Sequence, residues 1–459
     1  VLIGVWLGQF TPPVFLWVNI AAAGLIVGAF RSRRWYACLV LIVAGGLLGI
    51  SRGSWFAQDL QRLDSYLGKT ITIKGVFSQD PVQQGESNVW KGQLGYIRIG
   101  AVHYSGEIYA TILSDTSLSR GDRVTVHSKV SSGFGSFQLS MYRAEMLKVQ
   151  HSDDVFVRFR DSFAAAIRTV TPEPEASLGV GFLVGQKSAL PQDFEEQLKI
   201  VGLTHLVVAS GYNLTILVRF ARRLLARRSR YLALAGSLVL IVAFIGISGM
   251  SPSMLRAAAV TILSLLAWYY GRRFHPVQLI VLVAALSAYA YPVYAWSDLG
   301  WVLSFAAFTG ILVVAPIILG SFRRLVGTTG SFVQLLVETL SAEIMTLPLI
   351  MVVFGYIPTY ALLANMLVAP LVPFVMGASL LAGIAGMVGS AFVLFAMPAA
   401  VSAAFIVAVV EWLSALPGSE ISLGAGAEFA WWWFVCLGLF FVWLWKRNNI
   451  QLEVSSVTE

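Results

Sequence analysis

Long apolar runs recur along this sequence, near residues 14–30, 36–50, 205–221, 231–249, 254–270, 277–292, 299–319, 332–354, 358–384, 388–415 and 429–445. A run approaching 20 apolar residues either fills a very large core or crosses a bilayer as a helix, since a helix satisfies its own backbone where no water can. The chain is 57% hydrophobic and 12% charged, with a mean hydropathy of +0.75, which leaves too little polar surface to enclose such a core in water. The runs therefore predict a mainly α polytopic membrane protein with about ten transmembrane helices.

The formal net charge is +8. Its basic residues gather at Arg31, Arg33 and Arg34; at Arg222, Arg223, Arg227, Arg228 and Arg230; at Arg272 and Arg273; at Arg323 and Arg324; and at Lys446 and Arg447. These fourteen of the 32 Lys and Arg residues lie in alternate connections between the runs, and without them 18 basic residues face 24 acidic ones. That is the positive-inside pattern, and it does not make the protein a basic nucleic-acid binder. It predicts a multi-pass protein of the cytoplasmic (inner) membrane, with the arginine loops and the C-terminus in the cytoplasm and the polar insert near 55–158 outside.

Within that insert the pattern changes to short alternating strands such as "KTITIKGVFSQDP", "KGQLGYIRI" and "GDRVTVHSKV", broken by turn sequences such as "SRGD". Five or more strands in about 100 residues predict a small closed barrel of the OB type. Acidic and basic residues nearly balance there, which argues against a strong electrostatic funnel for nucleic acid. Tyr96, Tyr104, Tyr109, Phe134, Phe137 and Tyr142 read either as stacking surfaces or as rings of the barrel core and the lipid interface. The following stretch, with "FRDSFAAAIRTVTPEPEASLGVGFLVGQ", is too charged to span and too apolar for a free linker, so it predicts helices lying on the outer surface. The expected organisation is transmembrane helices over 1–54, the barrel over 55–158, amphipathic surface helices over 159–204, a transmembrane domain over 205–447 and a cytoplasmic tail over 448–459. The opening ten apolar residues are too short to span; they read as the end of a truncated helix or as a start at an alternative codon, and not as a signal peptide.

Polar residues inside the apolar runs are the candidate site, because such groups face a bundle interior or water. In "GLTHLVVASGYNLTIL", Ser210 and Gly211 loosen a helix and Asn213 can satisfy freed backbone groups. The segment reads as a broken helix lining a cavity or as glue between packed helices. His205, at the outer end of the same run, is an interfacial or a functional histidine. In "SPSMLRAA", Ser251 is an N-cap with Pro252 at N1, which places Arg256 one turn inside, either snorkelling to the headgroups or meeting phosphate in an outer vestibule. Glu338 and Glu343 share a helix but not a face; Glu338 has an arginine loop within reach, whereas Glu343 is deeper. Asn365, Pro370 and Pro373 predict a second interrupted helix, and Asp298 reads as the cap of the following span.

No "GxxxxGK" phosphate loop is present, the five histidines have no metal-ligand spacing, and Cys38 and Cys436 stand alone in apolar runs. No cofactor, metal or catalytic chemistry is expected. A serine-peptidase reading of Ser210 lacks the glycine two residues earlier, where Val208 stands, and His275 falls in a cytoplasmic loop.

Four ordered blocks carry a resemblance. "SLGVGFLVGQKSALPQDFEEQLKIVGLTHLVVASGYNLTIL", "SPSMLRAA", "LGWVLSFAAFTGIL" with Ser304, and "AEIMTLPLIMVVFGYIPTYALLANMLVAPLVP" resemble, in order and spacing, the ComEC competence proteins. Asn213 stands where that family commonly has histidine, and Val302 and Glu343 stand where glutamine is common. The resemblance implies an inner-membrane channel that takes single-stranded DNA into the cytoplasm during natural transformation, without the metallo-β-lactamase-like domain that ends many members. It implies an extracytoplasmic DNA receptor, a cytoplasmic helicase-type motor, membrane lipids and a homo-oligomer as partners. The alternative is a secondary transporter of a small solute, driven by a glutamate at the same broken helices.

Overall fold

The computed structural model describes residues 1–11, 18–23, 25, 37–84, 87–186, 190–207, 211–272, 275–326, 330–389, 394–422, 432–433 and 436–440. Its helices are α1 (Leu2–Gly8), α2 (Ala37–Asp64), α3 (Val155–Val170), α4 (Glu175–Val184), α5 (Gln192–Ile200), α6 (Thr204–Val207), α7 (Gly211–Ala226) and α8 (Arg230–Ser248). There follow α9 (Pro252–Tyr269), α10 (Pro276–Ala290), α11 (Val293–Ser297), α12 (Leu299–Thr309), α13 (Ala315–Val326), α14 (Ser331–Phe354), α15 (Ala361–Val368), α16 (Val372–Val388) and α17 (Met397–Ser414). The chain divides into two compact units, Val1–Asp154 with Val281–Val302, and Val155–Ile280 with Leu303–Glu459.

In the first unit α1 lies so close on α2 that a Cβ on Gly4 would stand 2.1 Å from the Gly46 carbonyl oxygen, a contact only hydrogen permits. α2 continues to Asp64, so residues 55–64 are helical and the expected barrel boundary at 55 is about ten residues early. No glycine or proline interrupts the chain between Gly53 and Gly68, and Gly68 then turns it at φ +77°. The barrel follows as β1 (Thr70–Phe77), β2 (Val82–Gln83), β3 (Val89–Ile99), β4 (Val102–Tyr104), β5 (Ile108–Leu113), β6 (Arg123–Ser132) and β7 (Leu139–Gln150). Five strands close in the order β1-β6-β7-β5-β3 and back to β1; every pair is antiparallel except β5 with β7, and the short β2 and β4 pair along β3. Alternation fills the interior with Ile73, Phe77, Leu94, Ile97, Ile108, Ile112, Leu139 and Met141. Of the six aromatic residues singled out in the sequence, Tyr104 is buried, Tyr109 and Phe137 are half-buried, and Tyr96, Phe134 and Tyr142 are exposed.

Six helices among the described residues are long and apolar enough to cross a membrane: Val40–Asp64, Arg230–Ser248, Pro252–Tyr269, Leu299–Phe322, Val333–Phe354 and Leu394–Ser414. The pair α15–α16 adds a seventh if it is one span bent by 51°. The expectation of about ten is not reached among the described residues. The runs at 14–30 and 429–445 fall largely outside the described residues, whereas α7 has 16 residues and α10 has 15, short of a full crossing.

The second unit also corrects the surface-helix expectation. α5 buries only Phe194 and Leu198 and has the amphipathic character the sequence predicts. In α4, by contrast, every residue from Ala176 to Val184 is buried. Its small residues, Ser177, Gly179 and Gly181, let neighbours approach from several sides, and nothing from Ala176 to Val184 is charged. α4 forms one core with α3, α5, α15, α16 and α17, while α7, α8 and α9 form another around Leu214, Ile241, Phe244 and Leu265. A two-stranded ribbon, β8 (Tyr356–Pro358) with β9 (Glu420–Ser422), brings the ends of α14 and α17 together.

Candidate functional site at the broken helices

The interruption foreseen at Pro370 and Pro373 lies in the second unit between α15 and α16, and residues of the "GLTHLVVASGYNLTIL" segment reach it. Ser210 lies outside the described residues; α7 starts at the next position, Gly211. A Cβ there would stand 2.4 Å from the Ala257 Cβ, so the missing side chain lets α9 pack against the first turn of α7. Arg256, the neighbour of Ala257, is thereby carried to the same level. Its side chain is 2% exposed, so protein encloses it and the snorkelling reading does not hold. Ser251 is the N-cap expected, accepting a hydrogen bond from the Met254 amide at 3.3 Å, with Pro252 in the first turn.

Asn213 is fully buried and its Nδ2 donates to the Phe182 carbonyl of α4 at 3.2 Å. The preceding residue reaches the opposite way. Tyr212 donates its hydroxyl to the Ala369 carbonyl, between α15 and α16, at 3.4 Å. The need for that donor follows from the sequence: in an unbroken helix the Ala369 carbonyl would accept from residue 373, and Pro373 has no N–H. Pro370, exposed in the same break, removes a second donor. On α15, Asn365 is 5% exposed and its Nδ2 donates to Glu343 Oε1 of α14 at 2.7 Å. Polar contacts thus link α4, α7, the α15–α16 break and α14 through an interior that is largely aliphatic, where groups left unbonded would carry a desolvation penalty of several kcal/mol.

The other candidates make no hydrogen bond to this cluster among the described residues. His205 is an exposed residue of the short α6. Ser304 is half-buried on α12, and among the described residues no polar contact joins it to the cluster. Glu338 accepts from Gln334 Nε2 at 2.8 Å, one turn earlier on its own helix, and lies in the electrostatic field of Tyr212. Tyr212 is the participant that sequence reasoning passed over; the signal was Pro373, which strips a donor from a carbonyl that something nearby then serves.

No curated protein and no solved structure matches the chain. A family model described as "Competence protein" matches residues 182–448, from the carbonyl that Asn213 holds through the α15–α16 break, and spans more than half of the 459 residues. The chain belongs to the Competence protein family.

Proposed function

We propose that the chain is a channel of the cytoplasmic membrane through which single-stranded DNA passes inward, with the barrel outside, of the OB type, and the C-terminus in the cytoplasm. The observation that carries this reading is the polar contact chain of Asn213, Tyr212, Asn365 and Glu343 across broken helices, in a family whose description is competence. A polyanion crosses a low-dielectric slab only along a path that replaces its hydration, and interrupted helices expose the backbone dipoles able to do so. Arg256 supplies positive charge to that path, whereas Glu343 is occupied by Asn365 and stands off it. With no phosphate loop in the sequence, the work comes from a helicase-type motor in the cytoplasm, and a separate receptor delivers DNA outside. The channel assembles as a homo-oligomer, contacts lipid and catalyses no reaction of its own.

The test is uptake of labelled DNA into the cytoplasm of a strain deleted for this chain and complemented with variants verified to insert. Asn213→Ala and Arg256→Ala should abolish uptake, and Glu343→Gln should retain it. The half-buried Glu343 carboxylate beside a helix break favours one competing reading, a proton-coupled carrier of a small solute. That reading gains if the deletion leaves DNA uptake intact and Glu343→Gln instead stops accumulation of a solute.

A further inference from the structure

The loop joining β6 to β7 has a composition poorly suited to nucleic acid. From Val130 to Tyr142, "VSSGFGSFQLSMY", no residue is charged, and phosphate recognition draws its affinity from Lys and Arg. What the loop offers is rings. Tyr109 of β5 meets Phe134 with centroids 5.2 Å apart and Phe137 at 5.6 Å, and the two phenylalanines lie 5.3 Å from each other. Phe134, 50% exposed, stands at the tip between Gly133 and Gly135, the latter at φ +59°.

A series of hydrogen bonds fixes where this cluster sits. The Gln138 backbone amide donates to the Glu107 carbonyl at 3.1 Å, and its side-chain oxygen accepts from the Glu107 amide. The loop is therefore joined to the β4–β5 turn. That turn in turn rests on α2: the Ser105 amide donates to Asp59 Oδ2 at 3.1 Å, and the Tyr66 and Tyr104 hydroxyls are 3.1 Å apart. Glu107 also lies in the field of Asp298, whose carboxylate accepts from the Trp301 amide to cap α12; burial first, and Asp298 second, hold Glu107 above the usual carboxylate range.

Both anchors are ends of apolar spans, Val40–Asp64 and Leu299–Phe322. Seven residues before Asp59, Arg52 donates from Nε and Nη2 to the Tyr289 and Ala290 carbonyls at the end of α10, each at 3.1 Å. Those seven residues rise about 10 Å, close to the depth of a headgroup layer, roughly 5–8 Å per leaflet.

We propose that Tyr109, Phe134 and Phe137 form a lipid anchor, seated at the boundary between headgroups and acyl chains, that holds one end of the barrel against the bilayer. Aromatic rings are favoured at that depth, and a loop without charge enters it with no ion to desolvate. Lys129 and Arg143, which bracket the uncharged stretch, suit anionic headgroups above the rings. The anchor is independent of what the membrane unit carries, so it stands or falls apart from the channel reading.

The test uses the full chain with Cys38 and Cys436 replaced by serine, reconstituted in vesicles of phosphatidylethanolamine and phosphatidylglycerol. An environment-sensitive fluorophore is attached at Ser136→Cys, which keeps all three rings. A control carries it at Ser117→Cys, in the turn reached at the other end of β5. Emission at 136 should shift to the blue and be quenched several-fold more than at 117 by lipids spin-labelled high on the acyl chain. Phe134→Ser with Phe137→Ser should abolish that difference by removing the shift in the Ser136→Cys chain, and should leave the signal of the Ser117→Cys chain unchanged. Equal quenching at both positions overturns the anchor. So does an oligonucleotide that changes emission at 136 when lipid quenchers do not, since the rings are then a stacking surface for bases.

Discussion

Gly211 places a strict demand on a single hydrogen atom. With the Ala257 Cβ only 2.4 Å from where its own would stand, α7 and α9 meet at a contact that excludes even a methyl group. Gly211→Ala should therefore destabilise the second unit by about 1–3 kcal/mol, the usual penalty for overpacking, and lower the melting temperature of the purified protein. Ala257→Gly in the same chain should restore most of that loss. Failure of the second substitution to help would mean that the strain lies in the backbone at 211 rather than in the pair. At this scale the sequence is informative where chemistry is local. Ser251 before Pro252, and Asp298 before Trp301, are caps readable from spacing alone, because a cap bonds two or three residues away. Tyr212 and Asn365 bond partners 157 and 22 residues distant, and no spacing rule names such partners.

Among the elements, the α15–α16 pair shows how a sequence predicts a break without predicting what stabilises it. Pro370 and Pro373 mark the interruption, and the bend of 51° follows from the hydrogen bonds they remove. Pro373→Ala restores an N–H that competes with the Tyr212 hydroxyl for the Ala369 carbonyl. The pair should then straighten. With spin labels at Leu363→Cys and Leu381→Cys, both exposed, helix geometry gives a separation longer by about 2–3 Å than in the bent parent. An unchanged separation would show that packing against α4 and α17, rather than the missing donor, sets the angle. α4 departs from its expectation for a related reason: the charged flanks of "TPEPEASLGVGFLVGQKS" suggest a surface, yet the uncharged stretch between them is what the fold buries. Composition averaged over a window of that size cannot separate the two.

For the membrane unit as a whole, charge and connectivity together constrain the number of crossings. Arg323 and Arg324 precede α14; if the positive-inside rule sets the start of that helix in the cytoplasm, Gly355 emerges outside. The β8–β9 ribbon ties that exit to the end of α17, since Tyr356 pairs with Ser422 and Pro358 with Glu420. If α17 finishes outside, it begins in the cytoplasm, and the chain between must have crossed once. The bent α15–α16 pair is then a span and not a loop that returns to its own side. Met387, exposed near the end of α16, should lie in the cytoplasm, and Ser422 outside. In a chain without its native cysteines, a membrane-impermeant maleimide applied to intact cells should modify Ser422→Cys at once and Met387→Cys only after permeabilisation. Modification of both from outside would make the pair re-entrant. The break at Ala369 would then open to one side only, as a site suited to holding a solute rather than to passing a strand.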